Sequence, residues 1–537
     1  MSATPTHRRS PRLHFASCLT AVITGAVSVL AFAPFGYWFI LAPCIAVLMG
    51  VIYRNRTSAQ ASFTGYFFGL GYFGAGVYWV YYSLHLFGDA IAPLAAVGTF
   101  LFVALLAIFP AFFANIAHRL KGNANKTEAK SSAAAESNTR ASRMRWSDCL
   151  WFLVAAPAAW VFIEWVRSWM FTGFPWLSLG YATLDSPIAG YAPVGGVFLN
   201  SLMVALCAGS IGLVGTMLFS RSLRTAPCAA SVGLVAIILT AGALLGKVQW
   251  TTVAGEPVQV RMVQGNIQQE LKFVPNLLQD SLDTYASLSA SDNGKTPDLI
   301  IWPESAIPAF FSDVEGWIEA FVAEADALGI TVISGGFLAN EDFTEYYNAI
   351  KVLGGNEQQV YTKRHLVPFG EFMPFRSLLS LLARYIMIPM SDLSAGRGPV
   401  EPIEVNGIHY GMSICYEDAF GEEMKVQLPL ANILINVSND AWFGDSTAPH
   451  QHQEIAAMRA LEFQRPMLRV TNTGITSMIS RTGKVMVRGP QHEEVAIDVE
   501  VVPRAGATPF VVVGNWLAVS LAILIMFWRW VTIRFRR

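Results

Sequence analysis

Eight apolar runs, each close to the length that crosses a bilayer, constrain this chain more than any other feature. They lie at about 13–33, 36–53, 60–83, 89–116, 149–170, 192–219, 228–247 and 510–532. A spanning helix needs ~20 predominantly apolar residues because the hydrocarbon core of a bilayer is ~30 Å thick. Hydrophobic residues make up 53% of the 537 residues and charged residues only 14%, a more apolar balance than soluble proteins show. The runs predict an α-helical transmembrane bundle of about eight spans.

Basic residues orient these spans. They cluster before the first run and after the second, fourth, sixth and eighth runs. By the positive-inside rule, both termini are then cytoplasmic and the stretch 248–509 lies outside, in the periplasm of a bacterium with an inner membrane. An alternative for the first run is a cleaved signal peptide, because Ala31, Phe32 and Ala33 resemble a cleavage site. Cleavage would leave the orientation of the remaining spans unchanged.

The sequence pattern divides the chain into three parts. Residues 1–247 form a predicted bundle of about seven helices with a polar cytoplasmic loop at 121–147, which is predicted to be disordered. From 258 onward, short β-type runs alternate with helix-like stretches such as 311–328, the rhythm of an α/β layered domain. We therefore predict one such domain over 248–509, and a last transmembrane helix with a basic cytoplasmic tail over 510–537.

Three reactive side chains stand at the ends of β-type runs: Glu304, Lys363 and Cys415. In α/β domains, side chains at strand ends converge on a substrate. Glu304 can remove the proton of the thiol, and Lys363 can stabilise the oxyanion that forms when a thiolate attacks a carbonyl group. The backbone N–H of Tyr416 is a natural second donor. Taken singly, each residue has a structural explanation: a packed cysteine, a helix-capping glutamate and a solvated lysine.

Longer motifs around these residues resemble known ones. WPES, YTKRHLVPFGEFMPF and GMSICYEDAF resemble, in order, the three catalytic motifs of the nitrilase, or carbon-nitrogen hydrolase, superfamily. NVSNDAWFGDSTAPHQHQ in the α/β part, and GYFFGLGYFGAGVYWVYYSLH and EWVRSWMFTGFPW in the spans, are further similar to its membrane branch, the apolipoprotein N-acyltransferase family. The resemblance covers nearly the whole chain apart from the N-terminal tail and the 121–147 loop. It implies a nitrilase-type αββα sandwich for the 248–509 domain.

The resemblance also implies a reaction. In that family the nucleophile, here Cys415, takes an acyl chain from a phospholipid such as phosphatidylethanolamine and holds it as a thioester. The N-terminal amine of a diacylglyceryl-cysteine apolipoprotein then accepts the chain, in the last step of lipoprotein maturation. Two such half-reactions give ping-pong kinetics. No metal or organic cofactor is implied.

Further site residues follow from motif position. Glu371, Tyr416 and Glu417 match supporting residues of the family. Phe273 stands where the family commonly has a tryptophan, so an aromatic wall is kept but the indole N–H is not. Trp442 is predicted to line an acyl pocket or to lie at the membrane interface, where aromatic side chains are favoured.

Other features of the chain bear on function. His450 and His452 lack a third ligand for a metal site, and a net charge of −1 offers no general basic surface for nucleic acid. Glu164 and Arg167, one helical turn apart, are predicted to reach the membrane interface as an ion pair. The apolar stretch 375–390 is either a lid lying on the membrane or an ordinary helix of the domain.

Two rival functions stay open. The first is a membrane-tethered amidase or nitrilase that hydrolyses a C–N bond; it would share the three catalytic residues but would leave the matching transmembrane segments unexplained. The second is a transporter or binding protein with an inactive nitrilase-like domain. A transport path calls for ionisable residues within the spans, and the spans hold very few. The acyltransferase is therefore the leading hypothesis and the tethered hydrolase its alternative.

Overall fold

The computed structural model describes residues 11–121, 145–291, 294–354, 359–373 and 392–535. The greater part of the 121–147 loop and the whole of the 375–390 stretch, for which a lid was one prediction, lie outside these residues. The N-terminal half is helical, and most of its helices are apolar on every side, as expected of helices surrounded by lipid and by one another. They are α1 Pro11–Ser28, α2 Leu41–Arg54, α3 Ser58–Gly76, α4 Ala92–Leu106, α5 Ile108–Lys121, α6 Ala156–Arg167, α7 Ala192–Phe219 and α8 Thr225–Leu245.

Among the described residues, five helical stretches are long and apolar enough to cross a membrane. Two shorter apolar helices, Phe15–Ala31 and Trp38–Arg54, lie near the first two predicted spans. The membrane character of the chain agrees with the prediction, while the count of about eight spans stays a prediction. The five stretches are Ala92–Lys121, Trp146–Arg167, Pro187–Phe219, Thr225–Leu245 and Trp516–Arg534.

The second half contains two six-stranded sheets and a two-stranded pair. One large sheet has the strand order β13-β2-β3-β4-β5-β6 and the other β12-β11-β10-β9-β8-β7, while β1 pairs with β14. In chain order the strands β1 to β14 are Thr251–Val253, Val258–Gln264, Leu299–Ile301, Thr331–Ala339, Tyr346–Leu353, Val360–Thr362, Ile403–Val405, Ile408–Ile414, Ile433–Ser438, Met467–Thr471, Ser477–Ile479, Val485–Arg488, Val495–Val501 and Arg504–Gly506.

The two large sheets pack face to face. Their inner faces share one buried apolar core, to which Met262 and Ile301 contribute from one sheet and Met412 and Ile435 from the other. Helices α9 (Leu278–Ser289) and α10 (Glu315–Ala327) cover the outer face of the first sheet, and α11 (Ala448–Phe463) covers that of the second. Because both faces of each sheet are covered, the central strands β3, β9 and β10 are buried along their whole length rather than alternating between buried and exposed residues. The predicted combination of a helical bundle and an αββα sandwich is confirmed.

Helix α11 joins the sandwich to the bundle. Ala456 and Ala460 pack against the second sheet, whereas Ile455 and Met458 belong to the apolar cluster of the bundle helices. Phe420, in the turn after β8, belongs to that bundle cluster as well. The end of β8 therefore faces the bundle. The last helix, α12 (Trp516–Arg534), returns to the bundle and packs beside α6.

Candidate active site

The two carboxyl oxygens of Glu304 are both engaged. Glu304 lies just beyond β3, and its side chain is buried. Oε1 accepts a hydrogen bond from Asn348 Nδ2 at 2.8 Å, and Oε2 accepts one from the backbone N–H of Asn439 at 2.8 Å. Asn348 belongs to β5 of the same sheet, whereas Asn439 follows β9 of the facing sheet. The carboxylate is thus fixed between the two sheets.

Lys363 follows β6 and is buried, with 1% of the residue exposed. Its Nζ lies 2.8 Å from Glu371 Oε1 and 3.5 Å from Glu304 Oε1. Burial alone would lower the pKa of the ammonium, but Glu371 and Glu304 outweigh burial and raise that pKa above its usual value. The lysine therefore stays positively charged in contact with two carboxylates.

Glu371 is the second carboxylate that contacts Lys363. Its Oε2 accepts a hydrogen bond from the backbone N–H of Val367 at 2.8 Å, which closes the turn that carries the glutamate. Asn348 Nδ2 also lies 3.4 Å from Glu371 Oε1, so one amide contacts both carboxylates. Asn348 was not among the site residues predicted from the sequence. The sequence feature that could have indicated it is its position as the one amide side chain in the mostly apolar strand segment NAIKVL, where it is the first residue.

Cys415 follows β8 in a strained backbone conformation. Its φ is +52°, in the left-handed region that few residues other than glycine adopt and that active sites often contain. Burial raises the pKa of the Cys415 thiol well above its ordinary value, and the Glu304 carboxylate raises it further, while the charge of Lys363 opposes both. The resting thiol is therefore protonated, and it needs a base to react.

Glu417 connects the cysteine turn to the segment that carries the lysine. Its Oε2 accepts hydrogen bonds from the Ile414 backbone N–H at 2.7 Å and from the Tyr361 hydroxyl at 2.8 Å. Its Oε1 accepts from the backbone N–H groups of Arg364 and His365, at 2.6 and 3.1 Å. Four donors on one buried carboxylate fix the distance between the strand ends. Burial nevertheless raises the pKa of Glu417.

Tyr416 contacts the bundle. Its hydroxyl donates to the Gly173 carbonyl oxygen at 3.1 Å, and its ring stacks on Trp176 with centroids 6.2 Å apart. The indole N–H of Trp176 in turn donates to Gln451 Oε1 of α11 at 2.7 Å. The residue after the cysteine is therefore held by the loop that follows α6.

Glu164 and Arg167 hold that same loop. Glu164 Oε1 accepts a hydrogen bond from the Leu179 backbone N–H at 2.8 Å, and Arg167 Nη1 donates to the Trp176 carbonyl oxygen at 2.6 Å. Only 4% of Glu164 and 3% of Arg167 is exposed. The two side chains are thus buried against the loop instead of reaching the interface as predicted, because the loop folds back over the end of α6 and offers backbone partners.

A second charged cluster lies beneath Cys415. Its four members are at most 2% exposed: Asp418, Asp440, His452 and Arg469. His452 Nδ1 lies 3.0 Å from Asp440 Oδ1, and its Nε2 lies 3.0 Å from Asp418 Oδ1. Arg469 contacts the same two carboxylates, at 2.8 Å from Asp440 and 3.3 Å from Asp418. We call this set the elbow cluster, because it supports the turn that carries the nucleophile.

The elbow cluster keeps His452 charged. Burial and Arg469 lower the pKa of His452, but Asp418 and Asp440 outweigh them and raise it to about 9. The sequence pattern suggested no role for His452 beyond that of a metal ligand beside His450, for which a third ligand is missing. Within the part of the chain that the structure describes, no group of three or more His, Cys, Asp or Glu side chains is arranged to hold a metal ion.

Two family models match the chain. That of the apolipoprotein N-acyltransferase N-terminal domain matches residues 24–210, and that of the carbon-nitrogen hydrolases matches residues 259–509. The apolipoprotein N-acyltransferase of Methylococcus capsulatus is 39% identical, over 94% of this chain and 94% of its own length. The chain belongs to the apolipoprotein N-acyltransferase family. The resemblance inferred from the sequence motifs is confirmed.

Other relatives of the apolipoprotein N-acyltransferase family match over similar lengths. The apolipoprotein N-acyltransferase of Coxiella burnetii is 38% identical over 94% of this chain and 98% of its own. That of Nitrosomonas europaea is 37% identical over 95% of this chain and 96% of its own. Among solved structures, an amidase from Nesterenkonia sp. is 15% identical, with a TM-score of 0.35, over 47% of this chain and 92% of its own.

In this family member, the two predicted aromatic residues have different neighbours. The Phe273 ring lies 6.2 Å from that of Phe337, in a small apolar cluster that includes Phe372 beside Glu371. The carbonyl oxygen of Trp442 instead accepts a hydrogen bond from Ser83 Oγ at 2.8 Å, next to the bundle. Contact of either residue with a substrate stays a prediction.

A cavity of about 650 Å³ lies between the bundle and the sandwich. The three residues Glu304, Lys363 and Cys415 do not line it, but residues next to the lysine and shortly after the cysteine do. Aromatic side chains of the bundle and polar side chains of the sandwich therefore share one space beside the site. Among its lining residues are Trp165, Trp169, Phe198, Arg364, His365 and Phe420.

Proposed function

We propose that this chain transfers an acyl chain from a phospholipid, through a thioester on Cys415, to the N-terminal amine of a diacylglyceryl-cysteine apolipoprotein. One observation carries the proposal. A buried cation, Lys363, and a fixed carboxylate, Glu304, lie at the strand ends beside a cysteine on a strained turn. This turn also faces a membrane bundle, which brings an acyl-transfer site next to lipid.

The first half-reaction forms the thioester. Glu304 accepts the proton of the Cys415 thiol as Sγ attacks the ester carbonyl carbon of the phospholipid. The carbonyl oxygen becomes an oxyanion, which Lys363 and the Tyr416 backbone N–H stabilise. When the intermediate collapses, the ester C–O bond breaks, Glu304 returns its proton to the leaving alkoxide, and a lysophospholipid departs.

The second half-reaction discharges the thioester. The α-amine of the acceptor cysteine attacks the acyl carbon while Glu304 accepts the amine proton. The C–S bond breaks and an amide forms. The thiolate regains its proton from Glu304, which restores the resting site. The thiol proton leaves with the lysophospholipid in the first half-reaction, and the thiol regains a proton from the acceptor amine through Glu304 in the second. The two half-reactions together are therefore balanced in protons, and no metal or organic cofactor is called for.

Two further glutamates support this chemistry. Glu371 keeps Lys363 positively charged, because its carboxylate contributes more than any other group to raising the pKa of the lysine. Its contact with Nζ also fixes the position of the ammonium. Glu417 fixes the end of β8 relative to the segment after Lys363 through its four hydrogen bonds. Both are positioning residues in this proposal.

The proposed substrates require a site at the outer surface of the inner membrane. We propose that the domain 248–509 lies on the periplasmic side of a bacterial inner membrane, between the bundle 1–247 and the helix and tail 510–537, with both termini cytoplasmic. The distribution of basic residues supports this orientation. The cavity between Trp165 and His365 supports a lipid donor, because its wall combines apolar and aromatic side chains with charged ones such as Arg364. Phosphatidylethanolamine is the proposed donor.

The test is to supply the purified protein with phosphatidylethanolamine carrying a labelled acyl chain and no acceptor. Wild-type protein should acquire a label that hydroxylamine removes, since hydroxylamine cleaves thioesters. Cys415→Ala should acquire none. Cys228→Ala, which changes the other partly exposed cysteine, is the matched control and should be labelled as the wild type is.

Addition of a diacylglyceryl-cysteine peptide should then move the label to the peptide amine. Label that leaves Cys415 only as free fatty acid, with the acceptor peptide present, would contradict acyl transfer and favour the tethered hydrolase. Absence of any label on wild-type protein would contradict the lipid donor, and small amides would be tested next.

A further inference from the structure

The peptide unit between Cys415 and Tyr416 is anchored from below. The carbonyl oxygen of Cys415 accepts one hydrogen bond from Asn436 Nδ2 at 3.1 Å and a second from His452 Nε2 at 3.2 Å. The same His452 nitrogen lies 3.0 Å from Asp418 Oδ1, and its other nitrogen lies 3.0 Å from Asp440 Oδ1. With both ring nitrogens protonated, Nδ1 donates to Asp440, and Nε2 shares its single proton between Asp418 and the Cys415 carbonyl oxygen.

The opposite edge of this peptide unit carries the Tyr416 N–H. In a trans peptide the C=O and N–H groups point in opposite directions, and the bond between Cys415 and Tyr416 is not among the cis bonds of the described chain. Two donors that hold the carbonyl downward therefore aim the N–H upward, away from the elbow cluster. Hydrogen bonds to a carbonyl also polarise the peptide and strengthen its N–H as a donor.

We propose that His452 and Asn436 are positioning residues for the oxyanion site: through the Cys415 carbonyl, they aim and polarise the Tyr416 N–H toward the substrate oxygen. The inference rests on the proposed function, since it supplies the second oxyanion donor of that reaction. It adds two residues and a path by which they act. Neither residue contacts the reacting atoms.

The composition of the elbow cluster supports this role. Replacing a buried ion cluster by well-packed apolar residues is often neutral or stabilising, so four buried charges are not needed merely to fill space. Here Asp418 and Asp440 each accept a hydrogen bond from one nitrogen of the imidazolium, and Arg469 Nη1 donates to Asn436 Oδ1 at 2.6 Å. One network thus orients both donors to the Cys415 carbonyl. It also counteracts the strain of the left-handed turn at Cys415.

The test compares two reactions of the same sulfur. Acylation by the labelled phospholipid forms an oxyanion, whereas alkylation by iodoacetamide displaces iodide from carbon and forms none. Both need the Cys415 thiolate. A defect confined to the oxyanion site therefore slows acylation alone, and a defect in folding or in thiol activation changes both.

The decisive pair of variants shares Asp418→Asn, so that each loses one positive and one negative charge. In the first, His452→Leu removes the donor to the Cys415 carbonyl; in the second, His452→Gln restores an N–H donor without the charge. We expect the leucine variant to acylate about tenfold more slowly, with alkylation within about twofold of wild type. The glutamine variant should recover part of the loss. His450→Gln, on the same helix, should match the wild type in both reactions.

Equal slowing of both reactions, or unchanged acylation in the leucine variant, would overturn the inference. If that variant does not fold, Asn436→Ser removes the other donor and leaves the four charges in place, and it is judged by the same two rates. Wild-type protein that takes up no acyl label contradicts the proposed function and removes this inference with it. Labelled wild type with an equally fast leucine variant contradicts the inference alone.

Discussion

Cys415 lies between two charged clusters that are built on opposite principles. On one side, the ammonium of Lys363 contacts two carboxylates, Glu304 and Glu371. On the other side, the elbow cluster sets two cations, His452 and Arg469, against two aspartates. The first set carries a net charge of −1 and the second is neutral when His452 is protonated. The unbalanced set is the one proposed to react.

The difference separates chemistry from support. An unbalanced cluster keeps one carboxylate available to accept a proton, and neutral donors such as Asn348 and the backbone of Asn439 hold it in the meantime. A balanced, sealed cluster has no charge to exchange, so it rigidifies what rests on it. Substitutions in the two clusters should therefore act differently. On the unbalanced side they should lower the rate with little change in stability, and on the balanced side they should lower stability and affect the rate only through the Cys415 carbonyl.

The largest effect is expected from Arg469→Met. It leaves His452 as the one positively charged side chain of the elbow cluster beside Asp418 and Asp440, and breaking a buried ion cluster by removing one partner costs about 3–5 kcal/mol. The thermal unfolding midpoint of the purified protein should fall sharply. Arg488→Met, an exposed arginine that contacts His450, is the matched control and should change stability by less than about 1 kcal/mol. Equal midpoints for the two variants would contradict the separation.

The second prediction concerns Lys363→Met. Loss of one oxyanion donor lowers rates by about 10²–10³, so thioester formation from labelled phospholipid should fall by that factor. The unfolding midpoint should stay close to that of the wild type, because the two carboxylates keep their amide and backbone donors and one of them can take up a proton. Lys351→Met on β5 is the control and should acylate normally. Wild-type acylation in the Lys363 variant would remove this lysine from the mechanism.

Glu371→Gln should have a smaller and pH-dependent effect. Glutamine keeps an oxygen near Lys363 but removes the charge that contributes most to raising the pKa of the lysine. Burial then lowers that pKa, so the variant should lose thioester formation at a lower pH than the wild type on the alkaline side. At neutral pH we expect a loss of about tenfold, the weight of one charge-assisted hydrogen bond. Glu341→Gln, exposed on the hairpin after β4, should leave the pH profile unchanged.

The unbalanced side of this comparison was easier to predict from the sequence than the balanced one. Glu304, Lys363 and Cys415 each follow a β-type run, and the rule that strand ends converge is enough to predict that the three lie together. The family motifs then added Glu371 and Glu417. The sandwich itself was predictable for the same reason, since runs such as ANILINVS are too apolar for a strand with one wet face.

The elbow cluster was not predictable in this way. Its members come from a turn, a loop, a helix and a strand, and no spacing along the chain relates them. An aspartate shortly after a nucleophile motif is expected to be solvated unless a helix brings a partner such as His452 over it. The prediction for Glu164 and Arg167 was wrong for a similar cause: their partners are backbone groups of a folded-back loop, and a sequence does not show where a loop folds.

The smallest expected effect is the pH dependence of the stability that the elbow cluster provides. In the folded protein the pKa of His452 is raised to about 9, against about 6.5 for an unperturbed histidine. A group whose pKa is raised on folding contributes its whole stabilisation below a pH of about 6.5, and that stabilisation is lost as the pH rises through about 9.

Lys272 acts in the opposite sense, since burial lowers its pKa to about 7. The unfolding free energy of the wild type plotted against pH therefore does not isolate His452. The difference in unfolding free energy between wild type and the His452→Gln, Asp418→Asn variant cancels Lys272. That difference should shrink by about 1 kcal/mol per pH unit between pH 7 and 9; a constant difference would mean that His452 is neutral, and that the elbow cluster is as unbalanced as the catalytic one.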